Sequence, residues 1–439
     1  MIETQKIKDY FPAIKAGRLV SNNAASTQAP KQLIDLFQEL LVQYENVHRG
    51  QSQSSIITTE KFESSYDTIA QFIGAPSRKN IILYRNTTEA INSVMYSLLT
   101  EFKDGDNVVT TYMEHNSNYV PWYGMCKEIL PKFGINVEYR IAKFNKETGE
   151  LDLEHLKSLV DDKTKLVCCT GASNFLGTKV PIKKIKEIAN SSEYVQPDGE
   201  KRAYLLIDGA QTVPNVFVDV KELDVDFLVW SFHKILAPFG IGALYAKEEL
   251  LNRMLPFHYG GDMIAEGMVS PEKVEYNSLP WKFTAGTPNI LGTVLSAQTL
   301  RLMLDFSLNP GEFNYYMTDK KLEAPDVEKA MNNIEDHEKV LIGEALNILG
   351  DMPGISIYGP KNPENRTSLI SFNFKGRDPF EISEKLSKLG VESRAGCHCA
   401  TLAHYYYELD PPASCRLSFY IYNDIEDVKK ACLAVKDCI

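Results

Sequence analysis

Seven short apolar runs between residues 81 and 246 constrain this chain more than any other feature. They span 81–84, 107–111, 137–142, 166–170, 204–208, 226–230 and 241–246. Each is rich in β-branched or aromatic residues and bounded by turn residues, and helically spaced stretches separate them. None shows the strict alternation of a strand with one wet face. Near-continuous runs of this length predict strands buried on both sides of a mostly parallel sheet. Their alternation with helices predicts an α/β fold.

Past about residue 295 the pattern changes. A long helical stretch is followed by an apolar run at 368–374, a helix at 379–389, short strands at 391–394 and 416–420, and a closing helix. This order predicts a small α+β domain, joined by the first helix of the chain at 5–10. The expected division is a large domain over 18–295 and a small one over 1–17 and 296–439. A polar stretch at about 305–332, rich in Asn, Lys and Glu, reads as a surface insertion.

A formal net charge of −11 over 439 residues argues against a nucleic-acid binder or a polybasic membrane surface. The start of the chain lacks the layout of a signal peptide, and no apolar run approaches membrane-spanning length. The expectation is a cytoplasmic protein whose partners are small molecules or proteins. Eight cysteines in a chain this long fall short of disulfide-scaffold density. Cys168 and Cys169 sit within an apolar run and read as small buried hydrophobes.

Chemistry concentrates at a few strand ends. Asp208 closes the run 204–208, at the edge where open α/β sheets bind ligands, and a buried carboxylate there calls for a cationic partner. An aspartate after a strand also serves as an ordinary helix cap. Downstream lies Ser231-Phe232-His233-Lys234. Pyridoxal phosphate (PLP) chemistry requires such a lysine, able to hold an aldehyde as a Schiff base, and a carboxylate that keeps a pyridine nitrogen protonated. Gln211 and Asn174 are placed to donate to the cofactor's phenolic oxygen. Thr87 and Thr88 follow a strand and open a helix, where hydroxyls and free N–H groups meet a phosphate or simply cap the helix. Ser231 and His233 would add donors to that phosphate. His115 is a candidate for stacking on the ring or moving protons. Cys399 follows Gly396, with His398 beside it and Arg394 near, an environment that favours a thiolate. Cys397-His398-Cys399 with His404 lacks the usual spacing of a zinc site. Arg416, read as the start of a strand, is a candidate for gripping a carboxylate.

Taken together, these motifs make the chain resemble fold-type I PLP enzymes of the class V aminotransferase group. Within that group it is similar to the Suf- and Csd-type cysteine desulfurases and selenocysteine lyases. Further matching segments are Asn22 to Ser26, Asn46 to Gly50, Met113-Glu114-His115, Ser173 to Thr178, Ala285 to Asn289, Arg394 to Ala400 and Arg416 to Asn423. The resemblance implies a large domain with a seven-stranded, mostly parallel sheet and a small α+β C-terminal domain. It implies Lys234 as the Schiff-base lysine, Asp208 as the ring-nitrogen partner and His115 as the stacking residue. Thr87, Thr88, Ser231 and His233 would bind phosphate, joined by Thr287 of the second subunit of a homodimer. Arg416, with Arg394 and Asn22, would bind the substrate, and Cys399 would take sulfur from L-cysteine as a persulfide with L-alanine as the other product; an acceptor protein would then collect the sulfur from Cys399. Selenocysteine cleavage, or C–S cleavage or epimerisation of a modified amino acid, is the alternative. The family commonly carries Asp at Asn22, Gly at Phe232 and Ala237, Thr at Phe239 and His at Cys397, so bulk near the lysine is expected from Phe232 and Phe239.

Overall fold

The computed structural model describes residues 2–236 and 240–439. Seven strands form its central sheet: β1 (Ile81–Tyr84), β2 (Asn107–Thr111), β3 (Glu138–Ala142), β4 (Thr164–Thr170), β5 (Tyr204–Asp208), β6 (Phe227–Ser231) and β7 (Gly242–Ala246). Each coincides with one apolar run to within two residues at either end. The spatial order is β1-β7-β6-β5-β4-β2-β3. Strands β2 to β6 pair in parallel, and β7 alone runs antiparallel to its neighbours β1 and β6. The fold is α/β of fold-type I.

The runs are continuous because successive residues enter two different cores. Leu205 and Ile207 of β5 belong to one cluster and Tyr204 and Leu206 to the other. The same alternation places Val167 and Cys169 on one face of β4, and Leu166 and Cys168 on the opposite face. Side chains in a strand alternate across the sheet, so a sheet covered on both faces has no position for a solvated residue.

A smaller antiparallel sheet follows, with strands β8 (Ile355–Tyr358), β9 (Leu369–Phe374), β10 (Arg394–Gly396) and β11 (Ser414–Ser418) in the order β8-β9-β11-β10. It packs with the helices Ala324–Gly350, Pro379–Lys388 and Ile425–Lys436 around a third cluster that includes Leu341, Phe372, Leu386, Leu417 and Val428. Strand β11 begins two residues before the expected position, so Arg416 stands in its middle, paired with Arg394 on one side and Ser371 on the other. Ser414 and Arg416 are buried polar residues that hydrophobic patterning passes over. The first helix, Thr4–Lys8, reaches the closing helix through Lys8, whose ammonium lies 2.5 Å from Asp424 and 2.9 Å from Asp427 at that helix's start. Among the described residues no helix is long and apolar enough to cross a membrane.

The expected insertion at 305–332 is narrower and better anchored than its composition suggests. Helices Ile290–Leu308 and Ala324–Gly350 occupy its ends, leaving 309–323 as the connection. The buried Asp305 carboxylate accepts backbone N–H groups from Asn314, Tyr315 and Tyr316 at 2.8–3.0 Å. Tyr315 and Leu322 are buried, and Arg301 donates to the Lys320 carbonyl at 2.6 Å. Polar residues cluster here because the connection is held by hydrogen bonds to its backbone.

Removing those charge-assisted acceptors leaves three donors unpaired, so Asp305→Ala should cost about 2–3 kcal/mol. It should also expose 309–323 to protease. Urea unfolding and limited proteolysis check both, and an unchanged midpoint would show that the connection does not depend on Asp305.

Candidate active site

Because β2, β4, β5 and β6 run in parallel, their carboxyl ends lie along one edge of the sheet. There they deliver, in turn, the segment leading to His115, Thr170, Asp208 and Ser231. A cavity of about 270 Å³ opens at this edge, and the small sheet closes it with Arg394, His398, Cys399 and Arg416. Of the residues predicted from sequence, Thr87, Thr88, His115, Asn174, Asp208, Gln211, Ser231, His233, Lys234, Arg394, Cys399 and Arg416 all line this one cavity.

One end of the cavity is a cup for an anion. Asn86 caps the helix Thr87–Leu98, its side chain accepting the Glu89 N–H at 2.9 Å. The Ser231 hydroxyl lies 2.8 Å from the Thr87 N–H and 2.6 Å from the Thr87 hydroxyl, while the Thr88 and Ser117 hydroxyls are 2.6 Å apart. This approach depends on Gly242, where a Cβ would fall 2.5 Å from the Asn86 backbone. Hydroxyls gathered at a helix N-terminus, where the helix dipole is positive, suit a phosphate. Asn86 and Ser117 are cavity residues that sequence reading missed, since both pass as ordinary turn and capping residues.

Deeper in the cavity a carboxylate faces an amine. Asp208 accepts the Ala210 N–H at 2.9 Å, and burial raises its pKa against the opposing influences of that hydrogen bond and of Lys234. Burial lowers the Lys234 amine to about 8; Asp208 opposes the fall, and the positive charge of Arg416 adds to it. Burial first, then the cations Lys234, Arg416 and Arg394, brings His115 down to about 3. Its Nδ1 accepts the Ser117 N–H at 3.0 Å, so the neutral ring carries its proton on Nε2. Behind it Glu114, fully buried, accepts from Thr111, Asn118 and the Thr170 N–H, tying the His115 turn to β2 and β4. Glu114 stands in one of the family-matching segments, but no local pattern marked it as a buried acid.

The opposite wall carries two arginines paired across β10 and β11. Arg416 is buried and donates to the Asn174 carbonyl at 2.6 Å; desolvation, then its neighbour Arg394, lowers it to about 9. Its Nε has no hydrogen-bond partner among the described residues. Two neighbouring guanidiniums, one with a spare donor, call for an anionic ligand. Asn174 and Gln211 each use one amide N–H within the protein, to the His398 and Ala24 carbonyls at 2.6 and 2.7 Å, leaving each a second N–H to donate.

Three expected residues lie elsewhere. Thr287 is exposed and does not line this chain's cavity. Asn22 sits beside Ser418 as a bridge partner, also outside the lining. Phe232 turns into the core against Trp230, with ring centroids 6.1 Å apart, and adds no bulk to the cavity. Ala237 and Phe239 lie outside the described residues. Among the described residues, no group of His, Cys, Asp and Glu side chains converges as a metal site.

An amine lowered to about 8 is about half unprotonated at that pH, where an ordinary lysine is almost wholly charged. In protein free of small molecules, reductive methylation of Lys234 followed by mass spectrometry should rise with a midpoint near pH 8. Asp208→Asn should move that midpoint lower, because the lost negative charge had favoured the ammonium. A midpoint at the ordinary lysine value would contradict the burial.

The class-V aminotransferase family model matches residues 20–312 and 313–431. A cysteine desulfurase of Haloferax volcanii is 37% identical over 412 residues, covering 93% of this chain and 86% of that protein. A cysteine desulfurase of Escherichia coli is 36% identical over 411 residues, covering 93% and 90%. The crystal structure of the Escherichia coli cysteine desulfurase CsdA superposes with a TM-score of 0.83 at 26% identity, covering 100% of this chain and 98% of that one. The apo cysteine desulfurase of Thermococcus onnurineus gives 0.84 at 28% identity, with the same coverage. Agreement of sequence and fold along nearly the whole length establishes that this chain belongs to the class-V aminotransferase family.

Proposed function

We propose that the protein is a PLP-dependent cysteine desulfurase, converting L-cysteine to L-alanine with transfer of the sulfur to Cys399. The observation that carries this reading is the meeting of a thiol, an amine and two arginines at one cavity: Cys399, Lys234, Arg394 and Arg416 all line it. The similarity to named cysteine desulfurases at 36–37% identity supports it.

The residues present fit the cofactor. The hydroxyl cup at Thr87, Thr88 and Ser231, with the space that Gly242 leaves, suits its phosphate. Asp208, with a single N–H partner and buried, suits a protonated ring nitrogen. His115, neutral and half-buried, suits stacking on the ring face. When bound, PLP supplies an electron sink for the pair left on the substrate α-carbon. Lys234 would hold the cofactor and, once the substrate's own amine had released it as a free amine with its pKa near 8, would accept and return the α-proton. Arg416 and Arg394 grip the substrate carboxylate and so orient its thiol toward Cys399.

The sulfur step belongs to the chain's own thiol. The Cys399 thiolate attacks the substrate sulfur; a new S–S bond forms as the substrate Cβ–S bond breaks. The bonding pair stays with the three-carbon fragment, which takes up protons to become alanine, and Cys399 is left as a persulfide. An acceptor protein would then collect that sulfur. A homodimer in which Thr287 completes the neighbouring subunit's phosphate cup fits the exposure of Thr287 outside its own cavity. The exposed apolar residues Ile34, Phe37, Leu41 and Ile57 on the helices Lys31–Gln43 and Gln53–Phe72 fit a subunit contact.

With L-cysteine, wild-type protein should form alanine, and Cys399→Ala should lose this activity by at least about a hundredfold while keeping its PLP absorbance. Turnover that persists in the variant and releases sulfide directly, with pyruvate and ammonia as the products of β-elimination, would instead support a C–S lyase, and the same outcome with selenocysteine a C–Se lyase. Arg416→Lys should raise KM more than it lowers kcat, because a point charge replaces a bidentate grip. Steady-state kinetics over a range of cysteine concentrations separates the two.

A further inference from the structure

Two buried histidines outside the proposed cofactor and substrate contacts meet on one hydroxyl. His398 Nε2 and His404 Nε2 each lie 3.0 Å from the Ser414 Oγ, and His404 Nδ1 lies 3.0 Å from the Ala400 carbonyl. All three side chains are buried, and the His404 ring stacks on Phe175 with centroids 3.8 Å apart. Burial holds His404 near 4 and, with Arg416 beside it, His398 lower still, so both rings are neutral in the working range.

Neutrality and geometry then fix the direction of every hydrogen bond. A carbonyl only accepts, so His404 carries its proton on Nδ1 and presents a bare Nε2. The Ser414 hydroxyl has one proton, which it donates to that Nε2. The hydroxyl can therefore only accept from His398, whose proton sits on Nε2. His398 Nδ1 is left as a bare acceptor, buried and without a hydrogen-bond partner among the described residues.

This chain anchors a sterically costly turn. His398 and Cys399 are consecutive non-glycine residues in the left-handed region, at φ 53° and 57°, after Gly396 at φ 119°. Left-handed backbone in two successive side-chain-bearing residues persists only where surroundings over-determine it. The backbone is tied by Asn116 N–H to the Cys399 carbonyl at 2.6 Å, by the Asn174 amide to the His398 carbonyl at 2.6 Å and by Ala400 N–H to the Cys397 carbonyl at 2.7 Å. Among the described residues the side chain of the turn's first left-handed residue, His398, hydrogen-bonds to Ser414 alone, and its ring faces Phe175 and His404 at centroid distances of 6.4 and 5.7 Å.

We propose that Ser414 and His404 are positioning residues for the sulfur-accepting cysteine: the directed chain Ala400–His404–Ser414–His398 clamps the left-handed turn that holds Cys399 at the cavity wall. The role assigned to Cys399 rests on the desulfurase reading, whereas the clamp itself does not. Relaxation of the turn toward ordinary backbone angles would move Cys399 relative to Lys234 and Arg416 without touching the cofactor cup.

The test is made on the PLP-loaded enzyme with Ser414→Ala, Ser414→Thr and His404→Leu. Hydrogen exchange of peptides spanning 396–400 should quicken in Ser414→Ala and in His404→Leu, and kcat for cysteine should fall by about tenfold or more while KM stays within about twofold. PLP absorbance should be retained, and Ser414→Thr, which keeps the hydroxyl, should restore both exchange and kcat. His404→Leu keeps the packing on Phe175 and carries the test if Ser414→Ala does not fold. Exchange reads the clamp without turnover, so a protein that fails to use cysteine yet shows quickened exchange would sink only the desulfurase reading. Exchange at the wild-type rate in both variants, a wild-type kcat in a variant that does turn over cysteine, or a threonine variant as impaired as the alanine one, would overturn the clamp.

Discussion

A buried carboxylate and a half-buried amine held near one another organise this protein. Asp208 and Lys234 come from adjacent parallel strands and the turn that follows one of them, and neither ionises at its ordinary pKa. Burial would favour the neutral form of each, and their mutual attraction opposes it. A cavity with these electrostatics suits a ring whose nitrogen carries a proton and whose aldehyde meets an amine. The remaining contacts fall into place around that pair: the hydroxyl cup beyond the end of β6, the histidine after β2 and the asparagine after β4.

The second organising constraint is the seam between the two sheets. Arg416 of the small sheet donates to the carbonyl of Asn174, and Asn174 donates to the carbonyl of His398. Asn116, next to His115, donates its backbone N–H to the Cys399 carbonyl. These bonds set the separation of thiol and amine through backbone atoms, which move less than side chains. They are short, buried and shared between parts of the chain more than two hundred residues apart. Paired arginines at the same seam repel one another, and an anionic ligand would relieve that.

Much of this was legible in the residues. The seven apolar runs located the central sheet because a strand buried on both faces leaves a continuous signature. Lys234, Asp208 and Thr87 were legible because strand ends and helix starts are marked by sequence. The position of Arg416 within its strand was not, since Ser414 and Arg416 are polar yet buried, and burial of a polar residue depends on partners far along the chain. Phe232 read as bulk at the lysine, but its direction is set by which face of the sheet the strand continues, and it enters the core. The stretch at 305–332 read as a surface insertion because its composition is polar; Asp305 shows those polar groups engaged in holding a backbone.

The kind of protein came from the resemblance of its motifs to class V PLP enzymes; what the sequence by itself determined was the α/β sheet and the placing of an aspartate and a lysine at strand ends. Local rules suffice for that, because strand burial, helix capping and turn formation depend on neighbours a few residues away. Only the tertiary structure decided which groups share a cavity, which proton sits on which histidine nitrogen, and that two left-handed residues carry the thiol. Those features arise from desolvation and from hydrogen bonds between distant segments, and such energies have no value until the chain has folded around them.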